Sequence, residues 1–184
     1  MDDIVCKAIA KWPHVPDCYG WLGLDARGNW YLRDDQAQAA GPFAGSAHSS
    51  PASKGSLLAH DKLIEFIARN YERDASGQWF FQNGPQRVYV ELEATPLVWR
   101  IDGENGWAVT AHTGQGARVQ RCVLDEQGRL YLDTDLGFGL VHSQDMLHAA
   151  DALEQGVWTP EALAAADLPT RFGYVRSPQV QQGK

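Results

Sequence analysis

The segments LDARGNWYL (24–32) and LDEQGRLYL (124–132) lie in opposite halves of the chain. They agree at the first Leu, the Asp, the Gly, the Tyr and the last Leu. A third segment, DASGQWFF (74–81), keeps Asp74, Gly77 and two aromatic residues. This spacing specifies a β-hairpin. Asp at the start of the turn accepts hydrogen bonds from the backbone ahead of it, and Gly three residues later takes the positive φ that a bulged type I turn requires. The aromatic residues after the Gly begin the returning strand. A fourth stretch, DGENGW (102–107), reverses the chain with looser spacing. A chain with reversals of this kind folds around antiparallel β-ribbons.

Two of these hairpins lead toward helical patterns. In LLAHDKLIEFIARNY (57–71), Leu63, Ile64, Phe66, Ile67 and Tyr71 fall on one helical stripe. GLVHSQDMLHAADALEQG (139–156) places Leu147, Ala150 and Leu153 likewise, with Ser143 as N-cap and Gly156 as the stop. Leu-x-His stands just ahead of each helix, as Leu58-Ala59-His60 and Leu140-Val141-His142. Thr159-Pro160-Glu161 signals a short third helix that ends before Leu168-Pro169. Between the two units, RVYVELE (87–93) alternates as a half-buried strand, with Val88, Val90 and Leu92 on one face and Arg87, Tyr89, Glu91 and Glu93 on the other. LVWRI (97–101) and WAVT (107–110) continue the meander. Strands and helices are segregated, so the expected class is α+β, mostly antiparallel, with two related hairpin–helix units from internal duplication. Residues 1–112 form the first unit with the meander, and 113–176 the second, degenerate one. Residues 36–56 are almost all Ala, Gly, Ser, Pro and Gln, which predicts a flexible loop inserted in the first unit. Residues 177–184 are expected to fray.

Composition narrows the function classes. The 184 residues, 44% of them hydrophobic and seven of them Trp, suffice for a core without staples. The net charge of −7 repels phosphate backbones and anionic lipid, so neither nucleic acid nor a membrane is expected as partner. Cys6, Cys18 and Cys122 are odd in number, and the N-terminus lacks the apolar run of a signal peptide or span. A cytoplasmic protein without disulfides is expected.

The strings KWPHVPDCYGWLGLDARGNWYLRD and WFFQNGPQRVYVELEATPLVWRI resemble a proteobacterial family of unknown function. The residues that carry the resemblance are Trp12-Pro13, Cys18-Tyr19-Gly20-Trp21-Leu22 and Phe80 to Val90, and it extends over most of the chain. The chain is similar, more distantly, to another bacterial family of unknown function, through Asp25 to Tyr31, Leu63 to Ile67, Trp79 to Phe81 and Arg87 to Pro96. That second resemblance implies two related β-rich units with helices and a signalling or ligand-binding role. This chain departs from it in the segment 36–56 and at His60, where that family tends to carry Arg.

Motifs of known chemistry are absent. Lys54-Gly55-Ser56 has the wrong order for a phosphate-binding loop, and Gly114-x-Gly116 lacks the third Gly. There is no CxxC, HExxH or GxSxG, so no metal, cofactor or catalytic residue is expected. Glu91 and Glu93 share a strand face about 7 Å apart, and a solvated polar face accounts for them. The density of polar groups at 82–89 exceeds what a turn needs. Gln82, Asn83, Gln86 and Arg87 beside Tyr89 offer two kinds of amide contact and a guanidinium fork. With His60 they form the candidate binding set. The expected role is a non-catalytic ligand-binding or regulatory module that takes a polar small molecule or peptide. The alternatives are a small-molecule enzyme in which His60 or His142 acts as general base beside Arg87, and a structural subunit of a complex.

Overall fold

The computed structural model describes residues 2–12 and 14–182. In chain order the elements are α1 (Asp3–Lys11), β1 (Cys18–Leu24), β2 (Trp30–Leu32), α2 (Asp35–Ala39), α3 (Pro51–Lys54), β3 (Ser56–Leu57), α4 (Asp61–Arg69), β4 (Tyr71–Arg73), β5 (Trp79–Asn83), β6 (Gln86–Leu92), β7 (Leu97–Asp102), β8 (Ala108–Ala111), β9 (Gly116–Ala117), β10 (Val119–Leu124), β11 (Leu130–Thr134), β12 (Gly137–Val141), α5 (Met146–Glu154), β13 (Pro160–Ala162), α6 (Leu168–Phe172) and α7 (Pro178–Gln182). The class is α+β. The elements divide into two units. The first holds residues 1–25, 29–94 and 174–184, and the second holds 26–28 and 95–173. The sequence had set the division at 112; it falls instead after Ala94, because β7 and β8 pair within the second sheet.

The first unit is a six-stranded sheet in the order β3-β2-β1-β6-β5-β4, and the second a seven-stranded sheet in the order β13-β10-β11-β12-β7-β8-β9. Without β13 the two orders are the same, position for position, read as first meander and second meander. Each sheet joins its two three-stranded antiparallel meanders through one parallel pair, β1 with β6 and β7 with β12. The duplication therefore equates β1–β6 with β7–β12. On that alignment Asp74-x-x-Gly77 is the counterpart of Asp125-x-x-Gly128, and Asp25-x-x-Gly28 is the counterpart of the looser Asp102 turn.

The three close matches share one turn. The amide of Asp25, Asp74 and Asp125 donates to the carbonyl four residues ahead, at 2.9–3.0 Å. Each Asp Oδ1 in turn accepts the amide of that fourth residue: Asn29 at 2.9 Å, Gln78 at 2.9 Å and Arg129 at 2.8 Å. Gly28, Gly77 and Gly128 stand at φ +82°, +80° and +75°, where a Cβ costs on the order of 1–2 kcal/mol.

The segment expected to be a flexible loop is ordered by short helices and burial. Residues 35–39 and 51–54 are helical, Ser50 and Ser53 form a reciprocal cap on α3, and Phe43 and Ser53 are buried. The anchor is Arg33, which is wholly buried. Its guanidinium donates to the carbonyls of Ser53 at 2.8 Å, Gly20 at 3.0 Å and Gly41 at 2.6 Å. Phe43 lies over Gly23, where any Cβ would collide with its ring. At the other terminus residues 178–182 form α7 instead of fraying, while Gly183 and Lys184 lie outside the described residues, as does Pro13 of the family motif.

Three local expectations change. Residues 160–162 are a strand, pairing parallel with β10 through Cys122 and Pro160, and the next helix of that unit begins only at Leu168. Pro160 opens an edge strand, a position that needs no amide donor. Leu57 belongs to β3 and Tyr71 to β4, so α4 is shorter than its apolar stripe. On α5 the buried residues are Ala149 and Ala152, and Leu147 is 81% exposed, because small side chains set the close approach of that helix. His142, not Ser143, caps the turn leading into α5.

Candidate functional site

The residues singled out at the 82–89 turn are held largely by their own unit. Gln82 is buried and its amide donates to the Gly84 carbonyl at 2.9 Å, closing the turn. Gln86 donates to the Pro16 carbonyl at 3.0 Å, tying the turn to the approach of β1. Arg87 is exposed and lies over the Phe80 ring at 4.8 Å. Tyr89 is 3% exposed, stacks on Tyr19 with centroids 4.5 Å apart, and donates its hydroxyl to Asp74 Oδ2 at 3.2 Å. Burial is the main cause that pushes the Tyr89 phenol up to about 12, against a hydrogen bond from Arg87, and with Asp74 and Asp17 adding to the rise. His60 stands at the start of α4, where its Nδ1 accepts the Leu63 amide at 3.2 Å. His142 repeats that role, accepting the Gln144 amide at 3.1 Å. The recurrent Leu-x-His is thus a pair of helix caps.

The polar face of β6 is solvated at Arg87 but buried at Tyr89 and Glu91. Glu91 is 3% exposed, accepting from the Ser177 hydroxyl at 2.5 Å and the Gln179 amide at 3.0 Å. Burial raises its carboxyl above the ordinary range, with those two hydrogen bonds and Arg33 opposing. The C-terminal segment covers this face at Glu91, while Arg87 at the start of the strand stays exposed.

The opposite face of the same sheet carries a cavity of about 440 Å³. Its floor follows the strand register. Leu32 pairs with Leu22 across β2–β1, Cys18 pairs with Val88 across β1–β6, and Val88 pairs with Phe81 across β6–β5. Its roof is Leu63 and Ile67, one turn apart on α4. His60 therefore caps the helix that closes the cavity. Trp21, Arg33, Asp34 and Asn83 complete the lining. Of the side chains singled out at 82–89, Asn83 is the one that reaches it. Trp21 and Leu32 are 43% and 46% exposed, leaving an apolar mouth. The Cys18 thiol is pushed up by burial, which disfavours a thiolate nucleophile. The sequence does not reveal this site, because its residues come from four strands joined by a parallel pairing. The bulge between Cys18 and Leu22 also breaks the alternation that links them.

Among the described residues the second unit carries two smaller depressions. One, of about 320 Å³, contains Arg100, Asp145, Glu104 and His148. Arg100 is already bound to Asp145 through Nε at 2.6 Å and Nη2 at 3.0 Å. The other, of about 380 Å³, lies along β10 and β13 beside Trp158. Among the described residues no cluster of three or more His, Cys, Asp or Glu side chains is placed to hold a metal ion. No described helix is long and apolar enough to cross a membrane.

Fold and cavity together define a mixed α+β protein built on a duplicated six-strand sheet, one copy of which carries an apolar pocket. The chain belongs to the family DUF2944, described as "Protein of unknown function (DUF2946)", which matches over residues 1–179. Two solved structures from a second family of unknown function are similar to it. A DUF1285 family protein from Silicibacter pomeroyi DSS-3 is 13% identical with a TM-score of 0.48, covering 82% of this chain and 84% of its own. A DUF1285 family protein from Shewanella baltica OS155 is 14% identical with a TM-score of 0.47, covering 71% of this chain and 91% of its own. No curated protein matches the chain.

Proposed function

We propose that this protein is a non-catalytic binding module of regulatory type that takes a small, mostly apolar molecule into the cavity between α4 and its sheet. The observation that carries the reading is the cavity itself. Its volume of about 440 Å³ lies within the range of ~300–1,000 Å³ typical of small-molecule pockets, and such pockets pair apolar walls with a few polar groups. The walls here are Leu22, Leu32, Leu63, Ile67, Phe81 and Val88, and the polar groups are Asn83, Asp34 and the enclosed Arg33. A non-catalytic role is supported by the lining: its one carboxylate caps α2, its cation is enclosed by carbonyls, and burial pushes its thiol away from the thiolate form. The polar groups at 82–89 serve in this reading to fix the turn at one end of the floor.

The test uses N-phenyl-1-naphthylamine, a neutral probe that fluoresces in apolar surroundings. The full chain is expected to enhance its emission saturably. Val88→Trp and Cys18→Trp, which fill the floor from adjacent strands, are expected to abolish the enhancement while far-UV circular dichroism stays unchanged. Undiminished enhancement in both folded variants would place the probe elsewhere and overturn the reading.

A further inference from the structure

The polar groups of the cavity differ in what they leave available, and the difference selects a ligand charge. Arg33 brings a positive charge to the described lining, but its guanidinium is turned to backbone carbonyls and buried. The side chain is 1% exposed and donates to three backbone carbonyls at 2.6–3.0 Å. Glu91, buried on the other face of the sheet, acts on it as an opposing charge. An incoming carboxylate or phosphate would have to compete with these carbonyls for a guanidinium that burial already encloses.

Asp34 is the reverse case. It is exposed, and its Oδ1 accepts the Ala37 amide at 2.8 Å as the N-cap of α2. Its Oδ2 makes no hydrogen bond or ion pair among the described residues. The neighbouring Asp35 adds a second exposed carboxylate, and the chain as a whole carries −7. Trp21, 43% exposed in the same lining, offers the ring face that attracts cations. Asn83, exposed at the end of β5, has an amide that suits a neutral polar group.

Resting on the cavity reading above, we infer that the occupant is an amphiphile with a cationic head: an apolar body seated between α4 and the sheet, and an ammonium-type group at the mouth between Asp34 and Trp21. Neutral molecules of the same body bind more weakly, and anionic ones most weakly of all.

Displacement of N-phenyl-1-naphthylamine by three ligands with the same tail tests this: decyltrimethylammonium, decanol and decanoate, each kept below its micellar concentration. The ammonium is expected to displace the probe at a concentration about fivefold lower than decanol, in line with a single partly exposed charge pair. Decanoate is expected to be the poorest of the three. Asp34→Asn retains the helix cap and is expected to bring the displacing concentrations of the ammonium and decanol together. Decanoate matching or exceeding the ammonium would overturn the inference while leaving the cavity reading intact. An order unaffected by Asp34→Asn would remove Asp34 from the site and overturn it as well. If decanol itself displaces nothing, the cavity reading falls and this inference with it.

Discussion

Asp145 shows how a single side chain organises the second unit. Its Oδ2 accepts from Arg100 Nε at 2.6 Å and from the Ile101 amide at 3.0 Å, so one carboxylate fixes β7 to the turn that leads into α5. Burial pulls its pKa upward, but the Arg100 bonds and the Ile101 amide outweigh burial and hold the carboxyl below its ordinary value of 3.8. A depressed folded value means that the stabilisation is complete above the unfolded value and is lost as pH falls through the folded one. Asp145→Asn is expected to cost about 2 kcal/mol at pH 7 by urea unfolding, taken near the low end for a charged hydrogen bond because Arg100 is half exposed. The difference should shrink below pH 3.8. A penalty independent of pH would show that the carboxylate's charge plays no part. The sequence offered no hint of this pair, since the two residues are far apart along the chain and neither stands in a motif.

At the scale of elements, two glycines separate turn chemistry from packing. Gly128 sits in the repeated turn at φ +75°, with open space where a Cβ would be. Gly139 lies in β12 against the Trp99 indole, and a Cβ there would stand 2.5 Å from Trp99 Nε1 and 2.6 Å from the Leu97 carbonyl. Trp99 is wholly buried and donates that Nε1–H to the Leu132 carbonyl at 3.0 Å. Gly128→Ala is therefore expected to cost about 1 kcal/mol, from backbone strain alone. Gly139→Ala is expected to cost about 3 kcal/mol, because ring and strand must both move. Denaturant midpoints at constant slope check the pair, and equal penalties would contradict the packing account. The first glycine was legible as part of Asp-x-x-Gly. The second was not, because nothing in the sequence places Trp99 across a parallel pair from it.

For the whole molecule, the chain leaves the first unit at Ala94 and returns to it at Tyr174. The returning segment buries Tyr174, donates the Val175 amide to the Gly77 carbonyl at 3.0 Å, accepts the Leu92 amide on the Arg176 carbonyl at 2.8 Å, and encloses Glu91. The first unit thus includes a segment that follows the second along the chain. A chain ended after Gly173 is expected to lose about 3 kcal/mol from the first unit, the scale of one buried aromatic side chain with its adjoining hydrogen bonds. Hydrogen exchange should report this as lower amide protection in β6. Unchanged β6 protection would mean that the segment adds nothing to that sheet.

The Asp-x-x-Gly reversals, the α+β class and two of the three nine-residue helices were legible in the sequence, because each rests on local rules. That the chain is duplicated was legible too, but not that the Asp74 turn, rather than the Asp25 turn, corresponds to the Asp125 turn. Turn geometry needs four residues, and helical periodicity needs two turns. The tertiary structure decided which strands lie side by side. The parallel β1–β6 pairing brings Cys18, Leu22, Val88 and Phe81 onto one floor. The Ala/Gly/Ser-rich segment becomes ordered through a buried Arg33 that caps its carbonyls. Glu91 goes inside because a segment from the far end of the chain covers it. Non-local pairing leaves no periodic trace in a single sequence, and a buried charge looks the same in sequence as an exposed one until its partners are known.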